Sequence, residues 1–239
     1  METLWLQLVQ FLHFVGLHPD ASTAVTLGAG AIRASDKLDL PSLLALAAAL
    51  GWASGFRLYA VVFITGIAGV FDWIALPQGL QLLQHPAMLG ASGVMLFLEF
   101  FVDKIPGLDS LWDLVHSVIR IPAGAALAAS ALGADSGTMA VVAALMGGTL
   151  AATSQAAKTT TRAAINTSPE PFSNVMASLV EDGLVVGAVW LATTHPLIFG
   201  LVLVVVVVLM WVVTWLLVKF LKAVFRRVSD FFSGFQKVA

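Results

Sequence analysis

Long stretches without a charged residue are the feature that most limits what this chain can fold into. The residues from Pro196 to Val218 carry no charge and include the valine run Val204–Val208. A helix needs about 20 mostly apolar residues to cross roughly 30 Å of hydrocarbon. In lipid, a segment satisfies its own backbone hydrogen bonds only as a helix. The sequence therefore predicts at least one transmembrane helix.

The composition of the whole chain agrees with a membrane location. Hydrophobic residues make up 59% of the 239 residues and charged residues 11%, with a mean hydropathy of +0.94. Soluble domains carry about 25% charged residues. The net charge of -2 provides no basic surface for nucleic acid. The absence of cysteine excludes disulfides, thiolate catalysis and Cys-ligated metals. The lipid bilayer is thus the first expected partner.

Mostly apolar stretches of sufficient length predict an all-α, polytopic protein with six transmembrane helices. The predicted spans are Leu40 to Phe71, Pro86 to Val102, Leu114 to Leu132, Thr138 to Thr161, Phe172 to Thr193, and Pro196 to Val218.

The distribution of Lys and Arg predicts the orientation of these helices. The loops 72–85, 133–137 and 194–195 on one side contain no Lys or Arg, and every basic residue except Arg57 lies toward the other side. Basic residues accumulate in cytoplasmic loops. We therefore expect both termini in the cytoplasm.

The two ends of the chain differ from the spans. Apolar residues recur at helical spacing from Trp5 to Leu17, which indicates an amphipathic helix lying on the membrane surface. The end of the chain combines Lys and Arg with phenylalanine, which is typical of the headgroup layer. The predicted organisation is an interfacial segment 1–39, repeat one at 40–133, repeat two at 138–225 and a cytoplasmic tail at 226–239.

The six helices divide into two sets of three with the same order of features. The first helix of each set has a glycine-rich interruption, at Gly51–Gly55 and at Gly147-Gly148, and the second helix of each set carries acidic residues. A tandem copy of a three-helix unit must insert upside down, so this order predicts two inverted repeats with interrupted first helices. The alternative is that small residues only permit close helix packing.

Ionisable residues at membrane depth require an explanation, because each costs about 2.5 to 3.5 kcal/mol on insertion scales. Such residues face one another or line a water-filled cavity. We predict a substrate site between the repeats, with polar side chains from the interrupted helices; a purely structural ion-pair cluster remains the alternative. The residues predicted for this site are Ser54, Arg57, Glu99, Ser154, Gln155, Lys158, Glu181 and Asp182.

The densest polar stretch follows the second predicted helix. Asp109, Asp113 and His116 have the spacing that places them on one helix face, and Asp103 precedes them. Carboxylates and an imidazole can bind a cation, so these four residues are a candidate metal site for a divalent or monovalent cation. They could equally pair with Lys104 and Arg120 to hold the cytoplasmic turn. No other cofactor is indicated.

A longer pattern surrounds this stretch: Leu98–Asp109, Asp113, His116, Arg120, Pro122 and Gly124, together with Gly51–Tyr59. This pattern resembles a known family of bacterial membrane proteins, DUF4126. The similarity covers roughly Pro41 to Thr193, and the family implies a bacterial inner membrane location without supplying an activity.

These features favour a small secondary transporter or channel for a small polar or ionic solute. The acidic excess favours a cation or a proton, and Arg57 and Lys158 leave an anion open. The alternatives are a lipid flippase or scramblase, a membrane-embedded metal-dependent enzyme, and an assembly subunit. No HExxH, Walker or GxSxG motif occurs, which favours transport over catalysis. A homo-oligomer is left open.

Overall fold

The computed structural model describes residues 39–105, 107–132, 137–167 and 171–236, and all regular elements in these ranges are helical. The predicted interfacial helix at Trp5–Leu17 lies outside the described residues. A short 3₁₀ helix, Gln78–Gln84, precedes the second α-helix. The α-helices are α1 Leu40–Val70, α2 Pro86–Val102, α3 Leu108–Leu132, α4 Gly137–Ile165, α5 Pro171–Thr194 and α6 Pro196–Gln236.

Five of these helices, α1 and α3 to α6, are long and apolar enough to cross a membrane. The shorter α2 meets the 3₁₀ helix at a bend of 67°, and this pair would make a sixth span. The prediction of a helical integral membrane protein is confirmed at this level. Helix α3 begins at Leu108, before the apolar span predicted from Leu114, and Asp109 and Asp113 lie on its buried face, as their spacing predicts.

Helix α1 is interrupted at Arg57, just beyond the predicted break at Gly51–Gly55, which is itself helical. This residue has non-helical dihedral angles (φ −146°, ψ 82°) between two helical arms, residues 40–56 and 58–70. The first arm is buried on nearly all sides from Ala45 onward. Its small residues allow the neighbouring helices to surround it closely.

The two arms run in opposite directions. Along the first arm, Gly51 packs on Gly147 and Gly55 packs on Ser154, so this arm is parallel to α4. Helix α4 is antiparallel to α3, since Gly147 packs on Ala128 at one level and Gln155 bonds to Asp113 at another. The first arm is therefore antiparallel to α3.

The second arm returns alongside α3. The ring of Tyr59 contacts that of His116 near the start of α3, whereas Gly69 packs on Leu76, close to the 3₁₀ helix. Gly79 of that 3₁₀ helix packs on Ser130, near the end of α3. Helix α1 is thus a re-entrant hairpin, with its tip at Arg57.

The hairpin changes the predicted arrangement of the first helix. Leu40 and Val70 lie at the same end of the bundle, so α1 does not cross it from end to end. The C-terminal part of α6 lies at the other end, because Leu221 and Phe225 line a pocket together with Thr167, which follows α4. The predicted cytoplasmic N-terminus concerns residues that lie outside the described ones.

The predicted interruption at Gly147-Gly148 is corrected by the structure: α4 is a single helix from Gly137 to Ile165. Its glycines serve close packing instead. A Cβ atom built on Gly51 would lie 2.5 Å from the Cα of Gly147, and one built on Gly147 would lie 2.3 Å from the Cβ of Ala128. Since α1 folds back and α4 continues straight, the two halves differ at their first helices.

The hairpin predicts which engineered cysteines share a side of the membrane. The chain has no native cysteine, and Leu40, Gln78 and Thr167 are exposed. In sealed vesicles of uniform orientation, cysteines at Leu40 and Gln78 should react alike with an impermeant maleimide, and a cysteine at Thr167 should react from the opposite side. Labelling of Leu40 together with Thr167 would mean that α1 crosses the membrane.

The packing of α1 on α4 predicts opposite effects for two glycine substitutions. Gly51→Ala should destabilise the protein by about 1 to 3 kcal/mol, because the added methyl group meets backbone atoms of Gly147. Gly187→Ala in α5 is the matched control, with no atom within 4 Å of the added Cβ. It should stabilise the helix by about 0.5 to 1 kcal/mol. Unfolding in detergent measures both; equal effects would contradict the close packing.

Candidate functional site

Side chains of α4 donate hydrogen bonds to carbonyl groups at the end of the first arm of α1. A helix ends with unpaired carbonyl groups and a partial negative charge, which a cation stabilises. The Nζ of Lys158 donates to the carbonyl of Phe56 at 3.0 Å, and the Oγ of Ser154 donates to the carbonyl of Trp52 at 2.6 Å. The break in α1 is therefore satisfied by side chains from α4.

A set of charged side chains surrounds this tip, which we call the ion-pair network. Its members come from α1 to α5 and from the turn after α2, and their side chains are buried apart from that of Asp182. Among the described residues, four cations face five carboxylates. The members are Arg57, Arg120, Lys158 and Arg162, and Glu99, Asp103, Asp113, Glu181 and Asp182.

Arg57 connects the turn after α2 to α5. Its Nη2 lies 2.8 Å from the Oδ2 of Asp103, and its Nε lies 2.9 Å from the Oδ1 of Asp182. Its Nη2 also donates to the Oγ of Ser178. Arg57 therefore fixes the hairpin tip to two neighbouring elements at once.

Lys158 and Arg162 bring two charges from α4 into the same volume. The Nζ of Lys158 lies 3.1 Å from Asp113, 3.2 Å from Glu181 and 3.5 Å from Asp103. The Nη2 of Arg162 lies 3.1 Å from Glu181 and 3.6 Å from Asp103. Each of these carboxylates is shared between cations, so removal of one cation affects several pairs.

Arg120 holds the innermost carboxylates. It donates to Glu99, to Asp113 at 2.7 Å and to the side-chain oxygen of Gln155 at 3.0 Å. Buried polar atoms are usually hydrogen-bonded. Nevertheless Glu99 Oε2, Asp103 Oδ1 and Asp113 Oδ2 have no hydrogen-bond partner among the described residues. These oxygens could accept bonds from a proton-bearing group, water or a cation.

Amide and carboxylate side chains close one end of the network. The Nδ2 of Asn166 donates to both oxygens of Asp109, at 3.0 and 3.1 Å, and to Ser110 at 2.9 Å. The Nδ2 of Asn174 donates to Asn166 at 2.8 Å. At the opposite end, the contacts between Gly51 and α4 close the bundle. These two sets of contacts, which we call the closures, thus separate the network from both ends of the bundle.

The structure brings together five of the residues predicted for a substrate site: Arg57, Glu99, Lys158, Glu181 and Asp182. Gln155 and Ser154 lie beside them, bonded to Asp113 and to α1. Ser54 instead donates to the carbonyl of Gly51 at 2.7 Å and packs on Gly124.

Several residues of this site were not predicted as part of it. Their spacing provided a signal: residues three, four or seven apart share a helix face, which gives one polar stripe on each of α3, α4 and α5. These residues are Arg120 on α3, Arg162 on α4, and Asn174 and Ser178 on α5, with Asn166 in the turn after α4.

The four residues of the candidate metal site each contact other side chains and do not surround a common point. Asp103 and Asp113 belong to the ion-pair network, and Asp109 is bonded to Asn166. His116 stacks on Trp112 with a centroid distance of 4.0 Å. In the described part of the chain, no group of three or more His, Asp or Glu residues is arranged to hold a metal ion.

Comparisons with known proteins identify one family, whose description assigns no function. The family model described as a domain of unknown function, DUF4126, matches residues 44–216. This range contains every member of the ion-pair network. No curated protein and no solved structure matches the chain.

The network predicts a specific rescue of stability. Arg57→Ala should destabilise the protein by about 3 to 5 kcal/mol, because it leaves buried carboxylates uncompensated. Adding Asp103→Asn restores the original excess of one carboxylate over the cations and should recover most of the loss. Unfolding in detergent measures both variants.

Arg226→Ala on the exposed part of α6 is the control, with an expected effect within about 0.5 kcal/mol. A double variant no more stable than Arg57→Ala alone would show that Arg57 does not compensate Asp103.

Proposed function

We propose that this chain, which belongs to the DUF4126 family, is a small secondary transporter in which the ion-pair network binds a small ionic solute. The observation that carries this proposal is the position of the network, which lies at the tip of a re-entrant hairpin inside a helical membrane bundle. Interrupted helices of this kind present helix ends to ions within transporters.

The charge of the network favours a cation or a proton over an anion. Four cations face five carboxylates, so one negative charge is uncompensated when all groups are ionised. An uncompensated buried charge is costly in a low dielectric. One proton or one monovalent cation removes the imbalance. Glu99 is the best acceptor, because it is fully buried, its Oε2 has no hydrogen-bond partner among the described residues, and its only cation contact besides Arg120 is Lys158 at 4.0 Å.

The two closures provide the elements of alternating access. On one side, Asn166, Asp109 and Asn174 must separate before solute reaches the network; on the other side, the glycine contacts of the first arm must loosen. Only one closure opens at a time in a transporter. This mechanism does not require the predicted inverted repeat.

We propose that the end of the bundle containing Asn166 faces the cytoplasm of a bacterial cell. Lys104, Lys219 and Lys222 lie toward this end, while the loop that follows α1 has no Lys or Arg. Positive residues favour the cytoplasmic side. The C-terminal part of α6 is then cytoplasmic, and the cytoplasmic location of the N-terminus stays a prediction.

Lipid scrambling is a second candidate, because a groove of about 500 Å³ opens sideways between the second arm of α1, α2 and α5. A headgroup would need a polar path along such a groove. Apart from Asp182, the side chains that line it are apolar, Leu96 and Phe97 among them. The groove fits an apolar group better than a headgroup, so ion transport is the preferred proposal.

Proton flux tests the proposed function. Purified protein in liposomes that contain a pH-sensitive dye should dissipate an imposed pH gradient faster than empty liposomes. Glu99→Gln leaves four cations and four carboxylates in the network at any pH and removes the proposed proton acceptor. It should therefore abolish most of this flux without loss of thermal stability. Asp72→Asn makes the same chemical change at an exposed loop position and should leave the flux unchanged.

Absence of proton flux, together with absence of sodium or potassium flux, would overturn the transporter proposal. Equal movement of a fluorescent phospholipid in protein-containing and empty liposomes would count against scrambling. Movement of the lipid without ion flux would establish the second candidate instead.

A further inference from the structure

One member of the ion-pair network, Asp182, has a side chain that is accessible from outside the bundle. The side chain of Asp182 is 33% exposed, whereas Glu181 is 8% exposed and the other members of the network are at 0%. The closures described above separate the network from both ends of the bundle. While both closures are shut, Asp182 is therefore the member of the network that a ligand can contact, and this residue lies in the sideways groove.

The walls of the groove are apolar and face the bilayer. Phe97 of α2 and Val186 of α5 line it and are 62% and 50% exposed. Ile64 adds further apolar surface, and the ring of Phe100 carries the Nζ of Lys104 at 2.8 Å from its centroid. Helix α2 packs mainly on α1, which leaves the space between α2 and α5 open. A ligand that reaches Asp182 by this route must pass apolar surface first.

We propose that the groove binds an amphipathic organic cation, with its apolar part between α2 and α5 and its charged group at Asp182. This inference rests on the proposed function, for which it names the class of solute. The network has one carboxylate more than it has cations, so a cationic ligand supplies the missing positive charge. Among the described residues Asp182 has a single ion-pair partner, Arg57, and Arg57 keeps its pair with Asp103 when Asp182 binds a ligand.

Other ligand classes fit the groove less well. An organic anion meets Asp182 and a network with excess negative charge. A hydrated inorganic cation gains nothing from the phenylalanine walls, because its hydration shell is lost there without replacement. A neutral lipid chain fills the groove without using the acidic residue. An amphipathic cation uses both features, and aromatic faces such as that of Phe97 also attract cations.

Two ions of the same shape and opposite charge test this inference. Tetraphenylphosphonium and tetraphenylborate are titrated calorimetrically into the purified full chain in detergent, with empty micelles as the reference. Tetraphenylphosphonium should bind with one saturable site, and tetraphenylborate should not. Asp182→Asn should weaken the binding by about tenfold or more, which corresponds to about 1.4 kcal/mol.

A second variant keeps the test valid if Asp182→Asn alters folding. Val186→Trp fills the groove with a larger apolar side chain and should abolish binding, because it leaves no space for the phenyl groups. Val94→Trp, at a 62% exposed position of α2 outside the groove lining, is the matched control and should bind as the unmodified chain does. Thermal unfolding establishes that each variant is folded.

Equal binding of the two ions, or binding that neither Asp182→Asn nor Val186→Trp reduces, would overturn the inference. Failure of tetraphenylphosphonium to bind while proton flux persists would refute the groove ligand and keep the transporter. Saturable binding that depends on Asp182, without flux of any ion, would support the groove site and refute the transporter.

Discussion

The bond between Lys158 and the last carbonyl of the first arm of α1 is the interaction on which the rest of this structure depends. A helix that stops inside a membrane leaves carbonyl groups that water cannot reach. Lys158 satisfies the one at Phe56, and Ser154 of the same helix bonds to the carbonyl of Trp52 one turn earlier. The lysine brings a positive charge with it, and that charge then requires carboxylates nearby.

The ion-pair network follows from this requirement and fixes the relative positions of five helices. Glu99 comes from α2, Asp113 and Arg120 from α3, and Glu181 from α5. Buried pairs stabilise little in comparison with apolar packing, but they specify one arrangement, because a shifted helix leaves an unpaired charge. Helix α6 contributes no member among the described residues, and it is exposed on most of its surface.

Sequence reasoning predicts features that depend on local composition, such as the positions of helices and of buried charges. It misses the direction in which a helix runs through the bundle. The length of mostly apolar stretches locates the helices, and charges at membrane depth point to Arg57, Glu99 and Lys158. The reversal of α1 escapes this reasoning, because it depends on the dihedral angles of one residue and on glycines in a distant helix. For a similar reason the sequence groups Asp113 with Asp109 and His116 in a candidate metal site and leaves Arg120 out of the substrate site, because contacts between helices depend on how the helices pack.

Helix α2 connects the network to the groove. It carries Glu99 into the network and presents Phe97 to the groove, and it packs mainly on the second arm of α1. A proton on Glu99 would weaken its ion pair with Arg120, which is one of the few polar contacts that hold α2 inward. An outward shift of α2 would then widen the groove at Asp182. In the proposed transporter, a proton on Glu99 and a cation at Asp182 would therefore be linked through the same helix.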